Sequence, residues 1–172
     1  VVLVQLQTPI HETGLYGTAF RVIELLIGVP PLVIGVAIPV LAVAASEDAK
    51  RLASGLQQLV EVSVVASLGA ALVVFAVATP VVRLLGGPGF DGAGPLLRVQ
   101  IWALVPLSLG SVFSFALLSL KRQRDIALAT VAPLLTVLVL GSYLIHLYEG
   151  TGAAVCGVVA ETILCAMLAW RL

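Results

Sequence analysis

The chain has 172 residues, of which 60% are hydrophobic and 10% are charged, with nine basic and nine acidic side chains. A mean hydropathy of +1.16 lies far above that of soluble domains and predicts an integral membrane protein. The balanced charge excludes the strongly basic surface that binds nucleic acid, so we expect no nucleic-acid partner.

Five apolar segments of about 20 residues follow one another, and each is long enough to cross a hydrocarbon core of roughly 30 Å. Four of them are uncharged, and the fifth carries one acid, Glu161, near its middle. Because every backbone polar group in a bilayer must be satisfied within its own segment, all five are predicted to be helices. The apolar segments are residues 25–45, 62–82, 99–120, 126–148 and 152–170.

The predicted fold is an all-α integral membrane bundle of about five complete transmembrane helices plus the end of a sixth. Residues 1–10 are apolar but too short to cross, so we expect the chain to begin inside a helix. The whole chain, 1–172, is predicted to form a single transmembrane domain, one partial lobe of a larger transporter-like protein. The complete spans are A (15–45), B (56–85), C (96–120), D (126–148) and E (152–170).

Basic residues are concentrated in alternate loops of this scheme. The loops 46–55 and 121–125 hold Lys50, Arg51, Lys121, Arg122 and Arg124, whereas the loops 86–95 and 149–151 hold no lysine. By the positive-inside rule, the loops between A and B and between C and D are predicted to be cytoplasmic. The aromatic side chains near the span ends are expected to anchor the protein at the two membrane interfaces: Tyr16, Trp102, Tyr148 and Trp170.

Span A has the most unusual face of the five. Its small, charged and proline residues share an arc of about 100° on a helical projection: Gly14, Gly17, Arg21, Glu24, Gly28, Pro31, Gly35 and Pro39. Pro31 and Pro39 remove backbone hydrogen bonds and are predicted hinges. Arg21 and Glu24 are costly at membrane depth and should face a wet cavity or a partner. The sequence leaves open a cavity lining, a close helix seam and an Arg21–Glu24 ion pair.

Two further polar features interrupt the apolar spans. Glu161 lies on a face of small residues in span E, so it should point into the bundle. A hydrogen bond to another span and an ion or proton site fit it equally well. Ser108 and Ser111 give span C a small polar face, which suits either helix packing or a wet cavity.

Local spacing gives no support for an enzyme. The two histidines lie far apart in the chain, and no Cys–His or paired-carboxylate pattern predicts a metal site or a nucleophilic triad. The run 86–89 is rich in glycine but lacks the Lys-Ser/Thr of a phosphate-binding loop. We therefore expect no catalytic residue, no cofactor and no metal.

Four short stretches follow one another in an order typical of one superfamily. Residues 14–21, Gly-Leu-Tyr-Gly-Thr-Ala-Phe-Arg, are similar to a G-x-Y-x-x-A-x-R motif that begins a central helix. Residues 87–98, 119–124 and 150–154 resemble an outer turn, a basic loop and a G-x-x-G-A-A helix start. Together they resemble the multidrug/oligosaccharidyl-lipid/polysaccharide (MOP) flippase superfamily, above all its Wzx-type polysaccharide and lipid II flippases.

The resemblance implies a two-lobed, multi-pass protein of the plasma membrane that moves lipid-linked sugars by alternating access. The chain would form most of the second lobe, with the missing first lobe and membrane lipid as its partners. Arg21 would then face the diphosphate of a lipid-linked sugar. Glu24, one turn deeper on the same helix face, is expected to complete the substrate site by holding the guanidinium in place. Span D departs from the family pattern, since the chain has no asparagine and Ile145 is followed by His146 rather than proline. A drug/cation antiporter of the same superfamily and a membrane scaffold for glycan assembly remain the alternatives.

Overall fold

A computed structural model describes residues 2–28, 30, 35, 49–87 and 89–172, and the regular elements in these ranges are all helical. In the same ranges, three stretches are long and apolar enough to cross a membrane: Ala53–Ala76, Ala93–Ser119 and Gln123–Arg171. The all-α class is thus confirmed for the described residues. Five complete spans are not seen, because span A is described only in part and the regions of spans D and E form one stretch of 49 residues.

The helices are numbered here in chain order. They are α1 (Val2–Gln7), α2 (Ile10–Ile27), α3 (Ala49–Ala76), α4 (Ala78–Gly86), α5 (Ala93–Gln100), α6 (Leu104–Ser119), α7 (Gln123–Ala129), α8 (Val131–Thr136) and α9 (Ser142–Arg171). A 3₁₀ turn, Ile101–Ala103, joins α5 to α6. A π-helical turn, Val137–Gly141, joins α8 to α9.

Prolines account for the interruptions inside the predicted spans. An interior proline has no N–H to donate, and its ring crowds the carbonyl four residues earlier. The helix α3 ends at Ala76, four residues before Pro80. The helix α7 likewise ends at Ala129, four residues before Pro133. Trp102, four residues before Pro106, lies in the 3₁₀ turn between α5 and α6. Each of spans B, C and D is therefore built from shorter helical pieces.

The predicted loops are shorter than expected at their C-terminal ends. Residues 49–55 are helical and belong to α3, so Lys50 and Arg51 lie in a helix rather than in the predicted loop 46–55. The helix α7 likewise begins at Gln123, which places Arg124 in a helix. Lysine, arginine, leucine and alanine are good helix formers, so an apolar helix readily extends outward through them.

Glu149 folds the last helical stretch back on itself. Its φ of 49° and ψ of −127° interrupt α9. A Cβ on Gly141 would lie 3.2 Å from the sulfur of Cys156, whereas 15 positions of unbroken helix (156 minus 141) would separate them by about 22 Å. At the far ends, the Arg171 guanidinium donates to the Asp125 carboxylate at 3.0 Å, across 46 positions of sequence. Residues 123–171 thus form an antiparallel hairpin, with its tip at the turn predicted between spans D and E.

At one end of the bundle, which we call the tip end, lie the loops that the sequence predicted to be on the same side of the membrane. A Cβ on Gly14 would touch the ring of Phe90, which lies in the loop after α4. A Cβ on Gly150, next to Glu149, would touch Leu96 of α5. The start of α2, the loop 87–92 and the hairpin tip therefore lie together.

At the opposite end, which we call the basic end, one carboxylate joins two arginines. Asp125 accepts hydrogen bonds from Arg122 at 2.7 Å and from Arg171 at 3.0 Å. Lys121 adjoins this cluster in a left-handed turn with φ of 58°. The predicted basic loop and the last turn of α9 are thus neighbours.

Between the two ends, α2, α5 and α9 share the main apolar core, in which Leu97 and Ile101 are fully buried. Tyr16 belongs to this core, because it is 8% exposed and stacks on Phe20 with ring centroids 6.1 Å apart. The prediction that Tyr16 is an interfacial anchor is therefore wrong, since its helix turns it toward α5 and α9. Tyr148 and Trp170, at 63% and 89% exposed, do project outward.

Candidate functional site

An open cavity of about 890 Å³ lies between α2 on one side and the C-terminal end of α4 with the loop that follows it on the other. Glycines and charged residues form its α2 wall, and the facing wall is Leu85, Gly86 and Phe90. The α2 lining is Gly14, Gly17, Thr18, Arg21, Glu24 and Leu25. Residues three or four apart lie on one face of a helix, which is why these side chains share the cavity. The polar face predicted for span A does line a cavity in its described part.

Arg21 and Glu24 are both exposed within this cavity. Among the residues that the structure describes, the salt bridges join Arg83 to Asp91 and Asp125 to two arginines, and none joins Arg21 to Glu24. The ion pair that the sequence left open is therefore absent from this arrangement. The guanidinium of Arg21 keeps its donors available for a ligand in the cavity.

Phe90 closes one side of the cavity by close packing. A Cβ on Gly86 would lie 2.7 Å from the ring of Phe90, so only glycine fits there without displacing the ring. Gly87 adopts φ of 83°, a left-handed conformation that glycine reaches without strain. Glycine at both positions thus lets the chain turn sharply and set the aromatic ring against α2.

The same loop is fastened by an ion pair. The Arg83 guanidinium donates to both carboxylate oxygens of Asp91, at 3.0 and 2.8 Å, in the forked geometry that arginine favours. The hydrogen bonds from Arg83 hold the pKa of the Asp91 carboxyl below its ordinary value. Both side chains are exposed, so this pair orients the loop more than it stabilises the fold.

A second, smaller pocket of about 80 Å³ lies against a different face of α2, between the α5–α6 junction and α9. Its polar lining is Tyr16, Gln100 and Glu161, and its other lining residues are apolar. Gln100 is 5% exposed, and its side-chain amide meets the side chain of Tyr16 in a weak hydrogen bond of poor geometry. Tyr16 and Glu161 come from separate helices to meet it.

No family model, curated protein or solved structure matches the chain. The resemblance to the flippase superfamily therefore stays a prediction that depends on the sequence motifs.

The serines predicted to give span C a polar face form hydrogen bonds within their own helix. The hydroxyls of Ser108 and Ser111 donate to the carbonyls of Leu104 and Leu107, at 2.7 and 2.9 Å. Ser108 is buried and Ser111 half-buried, and neither lines the two cavities described above. A role for either serine in a wet cavity stays a prediction.

Pro31 and Pro39, the predicted hinges, lie outside the described residues. Within the described ranges, no group of three or more His, Cys, Asp or Glu side chains could hold a metal ion. Cys156 and Cys165 are free thiols.

Gln100 is the site residue that sequence reasoning missed. It is the second residue of the apolar segment 99–120 and was not singled out, because a single amide at a span end is common. The signal available in the sequence was its position at the start of the uncharged segment 99–120, seven residues before Leu107. Only the packing of α2 and α9 shows that the amide is buried.

Proposed function

We propose that the chain forms most of the second lobe of a transporter that flips lipid-linked oligosaccharide units across the plasma membrane by alternating access. The observation that carries the proposal is Arg21, exposed in a large open cavity on a glycine-rich helix face. The sequence motifs that resemble the flippase superfamily point to the same residue.

The chemistry of the cavity suits a sugar diphosphate. A guanidinium offers two parallel donors to phosphate oxygens and does not lose its charge. Gly14 and Gly17 leave the helix surface beside Arg21 without side chains, so a bulky headgroup can approach it. The volume of about 890 Å³ lies within the roughly 300–1,000 Å³ typical of organic-ligand pockets. In the complete protein, the other lobe would supply the facing wall, since such sites lie at the interface of the two repeats.

The proposed topology places the tip end outside the cell and the basic end in the cytoplasm. Lys121, Arg122, Arg124 and Arg171 all belong to the basic end, in agreement with the positive-inside rule. The hairpin 123–171 would cross the membrane twice, because each of its arms is about as long as a bilayer is thick. With α3, α5–α6 and span A, this gives a multi-pass protein.

A drug/cation antiporter of the same superfamily is the second candidate. Glu24 lies in the cavity beside Arg21, and Glu161 lines the smaller pocket. Acids at membrane depth are typical of cation-coupled transport. The arginine favours an anionic substrate, so the flippase is the first proposal.

The test uses the full-length protein in a strain that lacks its flippase. Arg21→Ala should abolish complementation while the protein still accumulates in the membrane. Arg21→Lys should restore it only in part, because lysine lacks the planar fork. Loss of hydrogen bonds to a charged group costs about 1.5–3 kcal/mol, and the exposure of Arg21 favours the lower figure. Binding of a lipid diphosphate should therefore weaken about tenfold.

Arg98→Ala is the matched control. Arg98 is also an exposed arginine, but it lies over the ring of Phe75 at 5.7 Å from the centroid and does not line the large cavity. It should complement normally. Glu24→Gln should weaken flipping less than Arg21→Ala does. Normal flipping by Arg21→Ala at normal protein levels would refute the proposal, and loss of cation-driven drug export in Glu24→Gln would favour the antiporter.

A further inference from the structure

Two of the four cations at the basic end have no acidic partner in the described part of the chain. Asp125 holds Arg122 and Arg171 in salt bridges of 2.7 and 3.0 Å. Among the described residues, no salt bridge involves Lys121 or Arg124, and both side chains are exposed. Four cations against one carboxylate give these five residues a net charge of +3.

Lys121 occupies a backbone position that glycine usually takes. The backbone N–H groups of Lys121 and Arg122 donate to the carbonyls of Leu118 and Leu117, both at 2.9 Å. These are the two hydrogen bonds of a Schellman motif, and Lys121, with φ of 58°, is its left-handed residue. Lysine fits this conformation less well than glycine does, so the backbone alone does not account for it. What lysine adds is an exposed positive charge at the end of α6.

An exposed apolar stripe runs from Arg124 along the first arm of the hairpin. Leu128, Val131 and Leu135 follow it at spacings of four, three and four residues, which places them on one helix face. Helical dihedral angles at Thr130 continue this periodicity from α7 into α8. The three apolar side chains are 52%, 48% and 55% exposed. At 1.5 Å per residue the stripe is about 16 Å long, which is close to half of a hydrocarbon core of roughly 30 Å.

We propose that the basic end binds an anionic phospholipid of the cytoplasmic leaflet. The guanidinium of Arg124 and the ammonium of Lys121 would contact the lipid phosphate, and one acyl chain would follow the stripe toward the membrane centre. Basic residues beside a spanning helix attract anionic lipids, with about fivefold in affinity for each cation near the surface. The inference rests on insertion of the hairpin 123–171 in a membrane and not on the flipping of any substrate.

The chemistry of the surface favours a lipid over an acidic protein. An acidic cytoplasmic protein would complement the charge, but it would not reach an apolar stripe that extends one leaflet deep. Trp170, at 89% exposed, precedes the Arg171 that bonds to Asp125. Tryptophan is enriched at the level of lipid headgroups, so the second arm carries an interfacial side chain beside the same cluster.

The experiment measures quenching of Trp170 fluorescence by brominated lipids in the full chain, reconstituted into phosphatidylcholine vesicles. Trp102→Phe leaves Trp170 as the one tryptophan of the 172 residues. Brominated phosphatidylglycerol and brominated phosphatidylcholine are compared at equal mole fractions. The anionic lipid should quench Trp170 with a relative affinity at least about fivefold higher than that of the zwitterionic lipid. Raising the ionic strength should reduce this preference, because salt screens exposed charges.

Substitutions of the two unpaired cations test their roles separately. Arg124→Gln should lower the preference for phosphatidylglycerol about fivefold, whereas Arg124→Lys should keep most of it. Lys121→Gly should also lower the preference, although glycine suits the left-handed turn better and should raise the Tm. A loss of lipid preference together with a gain in Tm separates the charge of Lys121 from its structural effect.

Arg98→Gln is the matched control, because Arg98 is an exposed arginine of α5, the helix that follows the loop at the tip end. It should keep the full preference. Equal quenching by the two lipids in the chain that carries only Trp102→Phe would overturn the proposal. So would an undiminished preference in a variant that combines Arg124→Gln with Lys121→Gly.

Three further outcomes are distinguishable. If Arg124→Gln loses helix content by circular dichroism, Lys121→Gly decides, and an unchanged preference there counts against the site. Binding of soluble polyglutamate without any lipid preference would point to an acidic protein partner and overturn the proposal. Absence of quenching by either lipid would refute insertion of the hairpin as well. Flipping is not measured, so a lack of lipid preference leaves the proposal for Arg21 untouched.

Discussion

Replacing Gly152 by alanine tests the close packing at the tip of the 123–171 hairpin. A Cβ at this position would overlap the carbonyl oxygen of Leu144 and would lie 3.1 Å from the backbone nitrogen of Ile145. Both atoms belong to the backbone of the first arm, so neither can rotate away. The two arms would have to separate to admit the methyl group.

The expected cost follows from this geometry. Overpacking a tight contact costs about 1–3 kcal/mol, and contact with backbone favours the upper figure. Alanine in a helix gains about 1 kcal/mol over glycine. The net loss in the free energy of unfolding is then about 2 kcal/mol, or roughly 30-fold in the unfolding equilibrium.

The assay is unfolding of the purified chain by SDS titration in detergent micelles, with helix content as the signal. Gly69→Ala is the matched control, because Gly69 is also within a helix and a Cβ there would meet no atom within 4 Å. It should be neutral or stabilising by up to about 1 kcal/mol. If Gly152→Ala is as stable as Gly69→Ala, the arms of the hairpin are not in contact at this point.

A double-mutant cycle provides an independent check of the same hairpin. Gly141→Ala places a methyl group 3.2 Å from the sulfur of Cys156, and Cys156→Ala removes that sulfur. The double variant should be more stable than the sum of the two single effects predicts, by at least about 0.5 kcal/mol. In one continuous helix the two sites would be about 22 Å apart, and their effects would add.

Two further predictions concern the two ends of the bundle. The depressed pKa of Asp91 means that its ion pair with Arg83 contributes stability above the ordinary aspartate pKa and loses it as the pH falls through the lower native value. The Tm advantage of the unaltered chain over Asp91→Asn should therefore shrink below about pH 4, and an advantage constant with pH would contradict it. Single cysteines at Asp91 and Arg124, in a chain without Cys156 and Cys165, should be labelled from opposite sides of the membrane. Labelling of both from one side would refute the proposed topology.

Hydrophobic length was sufficient to predict the helices, because a run of about 20 apolar residues has no other stable conformation in a bilayer. The turn between spans D and E was predicted at residues 149–151, and the hairpin does reverse at Glu149. The breaks at Val77 and Thr130 were missed, although Pro80 and Pro133 were visible in the sequence. Apolar length alone predicts continuous helices at these two positions. An interior proline interrupts the helix there, because it cannot donate the backbone hydrogen bond.

The polar face of α2 was predictable because helical periodicity alone places Gly14, Gly17, Arg21 and Glu24 together. The smaller pocket was not, since its three polar residues come from parts of the chain far apart in sequence. Periodicity carries no information on which helices become neighbours. Tyr16 shows the same limit, because a tyrosine near a span end reads as an interfacial anchor until the packing of α5 and α9 against it is known.

The Asp125 cluster has a consequence for the order in which the protein is made. Asp125 and Arg122 leave the ribosome together, whereas Arg171 follows Asp125 by 46 residues. Until then the carboxylate has one guanidinium partner, and the hairpin has one arm. The second bond can form only when the chain has turned at Glu149 and returned to the basic end. Its formation therefore marks the moment at which the nascent hairpin is complete.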